Sequence, residues 1–169
     1  METFNLIAAL GGLTMFFGAI ILVFDLYTKR TLNDLIRRFG IAIGFLVAFG
    51  GVVMSLIYSE WFGLVPCGLC WFQRIFVYPQ AFIFAAALYI KDVRAAAFYA
   101  QVLSFLGLVV ALYQHYLQMG GAEFLECPTS GADCSQRFLF EFGFMTLPLI
   151  AAFSFLFLFV LGAYLRRAR

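Results

Sequence analysis

Apolar residues fill five long stretches of this chain, and the charged residues fall in short clusters between them. Runs without Asp, Glu, Lys or Arg cover Thr3–Phe24, Phe39–Ser59, Ile75–Ile90, Ala95–Ala122 and Phe142–Leu165. Most reach the ~20 residues that a helix needs to cross a hydrocarbon core of about 30 Å. The third extends its reach with the uncharged residues preceding Arg74. The pattern predicts an all-α membrane protein with five spanning helices.

Between spans three and four only the turn KDVR intervenes, which makes those two helices antiparallel neighbours. Gly11, Gly12, Gly18, Gly44, Gly50, Gly51 and Gly107 offer close helix approach, although glycine is common in membrane helices without that role. Pro79 is expected to kink or loosen the first turns of span three. The first apolar run is too long for a cleavable signal peptide, and METFN carries an acid and no positive charge.

Composition agrees with a lipid setting. Of 169 residues 64% are hydrophobic and only 12% charged, with a mean hydropathy of +0.98, against about 25% charged in soluble domains. A formal net charge of +2 carries no nucleic-acid signal, because the basic residues form no single face.

The basic residues do set an orientation. Lys29, Arg30, Arg37, Arg38, Lys91, Arg94, Arg166, Arg167 and Arg169 make nine of the eleven positive charges, and the span order puts them on one side. The positive-inside rule makes that side cytoplasmic. The C-terminus is then cytoplasmic, and the N-terminus, segment 60–74 and segment 113–142 lie outside. In the latter, Gly-Gly and Pro-Thr-Ser-Gly mark turns, and FLFEFGF suits a short amphipathic segment in the membrane interface.

Cys67, Cys70, Cys127 and Cys134 all fall in those two outer segments and none in a span. Incidental small apolar residues would scatter through the spans, whereas the extracytoplasmic side is where disulfides persist. Two structural disulfides and a catalytic dithiol both satisfy this pattern. A zinc site does not, since Cys127 and Cys134 are too widely spaced for a second short metal hook. A bis-histidine haem is excluded because His115 is the only histidine.

The stretch VPCGLCWFQRI favours chemistry. Span three begins there, so Cys70 falls in the first helical turn, where the helix dipole favours a thiolate. Arg74 follows at i+4 on the same face, placed to lower a thiolate's pKa or to bind an anionic partner; helix-end arginines equally serve as interfacial anchors. At the membrane edge, a dithiol meets soluble proteins on one side and a lipid-dissolved oxidant on the other.

PCGLCWFQRIFVYP (66–79), YQHYLQ (113–118), ECPTSGADCSQ (126–136) and FGFMTLPL (142–149) together resemble the disulfide-bond formation protein B family, particularly its BdbC-like branch. The resemblance covers roughly residues 39–165. It implies a four-helix core there, with residues 1–30 adding a further transmembrane helix. It also implies an enzyme of the bacterial inner (plasma) membrane that reoxidises a DsbA-like, thioredoxin-fold thiol oxidase and passes electrons to ubiquinone or menaquinone.

Site roles follow from the same resemblance. Cys127 and Cys134 form the pair exposed to the partner, Cys127 being its first target; Cys134 then reduces the Cys67–Cys70 disulfide. Cys70 hands the electrons to a quinone held near Arg74, and His115 aligns with a histidine near that site. Two departures are visible: the added N-terminal span, and a spacing of seven between Cys127 and Cys134, which leaves little loop to carry a cysteine across to Cys67. The vitamin K epoxide reductase family shares the ingredients, but there the loop pair precedes C-x-x-C, and here it follows. A non-enzymatic scaffold with permanent disulfides is the alternative of a different class.

Overall fold

The computed structural model describes residues 2–28, 31–124, 127 and 132–167. The expected basic residues Lys29, Arg30 and Arg169 lie outside the described residues. Five α-helices account for most of the chain: α1 (Glu2–Tyr27), α2 (Asn33–Leu56), α3 (Gly68–Ile90), α4 (Val93–Gln118) and α5 (Leu147–Arg167). No strand occurs among the described residues.

Four of these helices, namely α1, α2 with its continuation to Trp61, α4 and α5, are long and apolar enough to cross a membrane. They fit a multi-pass membrane protein. The fifth predicted span corresponds to α3, a helix of 23 residues that falls outside that set. Gln73, Arg74, Tyr78, Pro79 and Gln80 crowd its first half with polar or helix-breaking residues, so length is present without matching apolarity. The helix continues through Pro79.

Local signals set several ends. Lys91 takes the left-handed conformation, with φ of 61°, and closes α3. Asp92 then caps α4 by accepting a 3.1 Å hydrogen bond from the Ala95 N–H. The two helices therefore reverse within the predicted turn. Beyond Leu56 the helix widens into one π turn, Ile57–Trp61, a local feature often found beside functional sites.

Packing joins α4 to α5, α1 to α5, α2 to α3 and α3 to α4. At Gly107 an added Cβ would sit 2.5 Å from the Phe155 ring, and at Gly44 it would sit 2.7 Å from Phe84. Both glycines are therefore close-approach positions. Gly11 and Gly50 are different, since a Cβ at either meets nothing within 4 Å.

The main core cluster gathers Leu22, Ile36, Phe84, Leu158, Leu161 and Tyr164. At that end of the bundle, Tyr164 donates a 2.5 Å hydrogen bond to Asp25, which also accepts from Thr31. At the opposite end Tyr58 donates to Asn5 at 2.8 Å. The cysteines share this second end. FLFEFGF forms a tight turn there, with Glu141 bridged to Met145; Leu139 and Met145 are buried while Phe140, Phe142 and Phe144 stay exposed.

Candidate active site

Cys67 is the N-cap of α3, and its sulfur accepts a 3.3 Å hydrogen bond from the Cys70 N–H. That cap puts Cys70 in the first turn, as the C-x-x-C spacing predicts. The two sulfurs stand 2.7 Å apart as free thiols. Cys127 and Cys134 are joined in a disulfide with a Cα–Cα separation of 6.1 Å.

Both pairs meet in one cluster. Cys67, Leu69, Leu117 and Cys134 are buried together, with Cys70 and Cys127 packed against them. Cys67 and Cys134 are each only 1% exposed, whereas Cys127 is half-buried. Cys134 therefore already lies against the C-x-x-C pair.

From α4, Gln114 reaches both thiols. Its Nε2 donates to Cys67 Sγ at 3.1 Å and to Cys70 Sγ at 3.3 Å, and its Oε1 accepts from Gln73 Nε2 at 2.6 Å. Cys67 and Cys70 belong to segment 60–74, ahead of the apolar run of α3. There, the hydrogen bond from Cys67 pulls the Cys70 thiol down to about 6, and Gln114 and the positive charge of Arg74 act the same way while burial opposes them. Cys67, which donates that bond and is itself buried, is pushed up. The arrangement selects Cys70 as the thiolate of the pair.

Arg74 is buried and directed towards α2. Its Nε donates to Ser55 Oγ at 2.8 Å and its Nη2 to the Ser55 carbonyl at 3.2 Å, while its guanidinium stands 4.9 Å from the Trp71 ring. A guanidinium carries five N–H donors, so donors remain for a ligand oxygen. The lone-anchor reading fits poorly with a side chain that is 9% exposed.

A cavity of about 520 Å³ opens beside this end of the bundle. Cys70, Gln73, Arg74, Gln114 and Ser55 form a polar end, and the remainder is mostly aliphatic. Gln118 also borders it and is 4% exposed; its Nε2 donates to the Gln136 carbonyl at 2.8 Å, while its Oε1 has no hydrogen-bond partner among the described residues. A buried acceptor without a partner is costly unless a ligand or water supplies a donor.

Not every candidate from the sequence reaches the cavity. His115 instead pairs through Nδ1 with Thr146 Oγ1 at 2.8 Å, tying α4 to the start of α5, and it is absent from the cavity lining. Trp71 and Phe72 are exposed and also absent from that lining. Gln73, Gln114, Gln118 and Ser55 were not singled out from sequence. Their signal was present: polar residues within predominantly apolar helices mark functional positions, and Gln114 and Gln118 share a helix face at i,i+4.

Comparisons with known proteins place these features in a family context. The family described as "Disulfide bond formation protein DsbB" matches residues 37–165. The chain is 34% identical over 126 residues to the "Probable disulfide formation protein C 2" of Bacillus cereus, covering 75% of this chain and 90% of that one. It is 31% identical over 123 residues to the "Disulfide bond formation protein C" of Bacillus subtilis, covering 72% and 88%. A third relative, the "SPbeta prophage-derived disulfide bond formation protein B" of Bacillus subtilis, is 36% identical over 118 residues, with 70% and 79% covered. No solved structure matches the chain significantly.

Proposed function

This chain belongs to the DsbB family of disulfide bond formation proteins, and we propose that it is a quinone-dependent thiol oxidoreductase that reoxidises an extracytoplasmic thioredoxin-fold oxidase. The observation that carries this reading is the continuity of the site. A half-exposed disulfide, a buried dithiol and a cavity with a polar end adjoin one another in the order Cys127, Cys134, Cys67, Cys70 and Arg74.

The thiol steps follow from exposure and burial. A partner thiolate attacks Cys127 Sγ, the more accessible sulfur, and breaks its bond to Cys134. The partner's second thiol resolves that mixed disulfide, so the partner leaves oxidised and Cys127 and Cys134 remain as thiols. Cys134, as thiolate, then attacks Cys67 of an oxidised Cys67–Cys70 pair and releases Cys70 as the thiolate. Attack of Cys127 on Cys134 re-forms the outer disulfide and leaves Cys67 and Cys70 holding two electrons.

Within the cavity, Arg74 offers N–H donors to a ligand carbonyl and Gln118 Oε1 offers an acceptor to a ligand hydroxyl. Those two polarities suit the oxidised and reduced forms of a quinone ring. When bound, a quinone supplies a two-electron, two-proton sink for the Cys67–Cys70 dithiol. Gln114 steadies the Cys70 thiolate, and Cys67 carries the neighbouring proton. His115 supports the site through Thr146, outside the lining.

We further assign a five-span topology in the bacterial plasma membrane. In it α3 crosses with its first turn at the outer surface, and segments 60–74 and 113–142 face the periplasm or exterior. The positive charges at the opposite end support that orientation. Proteoliposomes holding the protein, a quinone and a reduced thioredoxin-fold oxidase test the activity. Turnover is expected in the wild type and should be abolished by Cys70→Ser; undiminished turnover in that variant overturns the scheme.

A further inference from the structure

Helix α1 lies outside the matched family region of residues 37–165, and the redox groups all sit elsewhere in the chain. We propose that α1 contributes to ligand binding, forming with α2 a laterally open slot that holds the apolar tail of the lipid-borne quinone. This inference rests on the quinone reading above.

The way α1 is attached leaves that slot open. It packs along α5, and it is tied to the α2 side near both of its ends. One tie is the Tyr58–Asn5 hydrogen bond of 2.8 Å. The other is Asp25, which accepts from Thr31 N–H at 2.8 Å and from Thr31 Oγ1 at 2.6 Å just ahead of α2. Between these ties α1 and α2 pack together little, unlike α1 with α5 or α2 with α3. Two helices joined by so short a connection ordinarily close on each other along their length.

The cavity occupies this gap. Ile7, Gly11 and Met15 border it from α1, and Leu46, Gly50 and Met54 border it from α2. A Cβ at Gly11 or at Gly50 meets nothing within 4 Å, so neither glycine serves helix packing. Gly11, Ile7 and Leu46 are exposed, which places the opening on the lateral, lipid-facing side of the bundle. The same cavity ends at Arg74, Cys70 and the unpartnered acceptor of Gln118. A ligand filling it has a polar head that meets both hydrogen-bonding signs and a flexible apolar chain that leaves sideways into the bilayer.

The test compares a tail-free quinone with a long-tailed quinone of the same ring, by direct binding to the purified full-length protein in detergent. Wild-type protein should prefer the tailed molecule. Gly11→Leu should reduce that preference about tenfold, the effect of losing the burial of one or two methylenes. Gly50→Leu enters from the opposite wall and should act in the same direction, which preserves the test if one variant folds poorly. Unchanged preference in both folded variants overturns the slot, as does displacement of phospholipid with no change in quinone affinity. Binding of neither quinone by the wild type would instead overturn the acceptor reading itself, and the slot with it.

Discussion

Gln114 on α4 donates a hydrogen bond to Cys70 on α3, with Nε2 3.3 Å from the sulfur. The two residues are far apart in sequence, and their contact connects the C-x-x-C turn to the helix that leads into the outer cysteine segment. Because the same amide also touches Cys67 at 3.1 Å, it holds the pair in register while favouring charge on Cys70.

The pH dependence follows with a definite sign. A lowered thiol pKa means that Cys70 becomes reactive at lower pH than an ordinary cysteine. In reduced protein, alkylation of Cys70 should rise through about pH 6 and level off above it. Gln114→Ala removes one hydrogen bond to the thiolate and should move the midpoint upwards by about one pH unit, the size of a charge-assisted hydrogen bond. Rapid-quench alkylation across pH checks this, and a midpoint unaltered by the substitution would contradict the assigned role.

Arg74 should act on the acceptor more than on the protein partner. Arg74→Ala is expected to weaken apparent quinone affinity about tenfold to a hundredfold, through loss of a charge-assisted donor. Thiol exchange between the partner and Cys127 should change far less. Titrations of quinone and of partner, performed separately on the same variant, distinguish this from a purely structural arginine, whose loss would depress both alike.

Exposure orders the outer pair. Cys134 is buried against Cys67 and Cys127 is half-buried, so protein holding the outer disulfide, mixed with a reduced thioredoxin-fold partner that keeps only its nucleophilic cysteine, should accumulate a mixed disulfide through Cys127, with Cys134 released as the thiol. A cross-link mapped to Cys134 instead would contradict that order. Non-reducing gels with mass-spectrometric mapping of the cross-link provide the readout.

The tie between α1 and the π turn that follows α2 has a measurable contribution. Tyr58→Phe removes the hydrogen bond to Asn5 and should lower unfolding free energy in detergent by roughly 0.5–2 kcal/mol, the range for interhelical polar contacts in membranes. Asn5→Leu with Tyr58→Phe should recover part of this loss, because neither polar group is then left buried alone. Equilibrium unfolding in mixed detergents measures both.

The sequence made the helices and the gathering of all four cysteines at one end of the bundle legible through simple rules. Charge-free runs located α1, α2, α4 and α5, while Lys91 and Asp92 marked the reversal between α3 and α4. Cys70 was placed correctly in a first helical turn because span three opens at the C-x-x-C motif. Polar interruptions made α3 a weaker span than its run suggested, since Arg74 and Gln80 fold inward rather than to lipid.

What escaped the sequence depends on tertiary geometry. Nothing local reveals that Gln114 meets the C-x-x-C thiols or that His115, one residue later, turns to Thr146. On a helix, adjacent residues point about 100° apart, and only the packing of α3 and α5 decides which faces the cavity. The glycines were similarly indistinguishable by type: Gly44 and Gly107 admit neighbouring rings, whereas Gly11 and Gly50 border open space.

The most direct test follows the four thiols through an electron transfer. Protein in quinone-depleted membranes, supplied anaerobically with the reduced thioredoxin-fold partner, should accumulate reduced Cys67 and Cys70. Added quinone should then reoxidise them, with one quinol formed per dithiol. Differential alkylation with quinol absorbance records both halves of that exchange. Persistence of all four cysteines in their oxidised form throughout would instead identify two static disulfides and contradict the redox account.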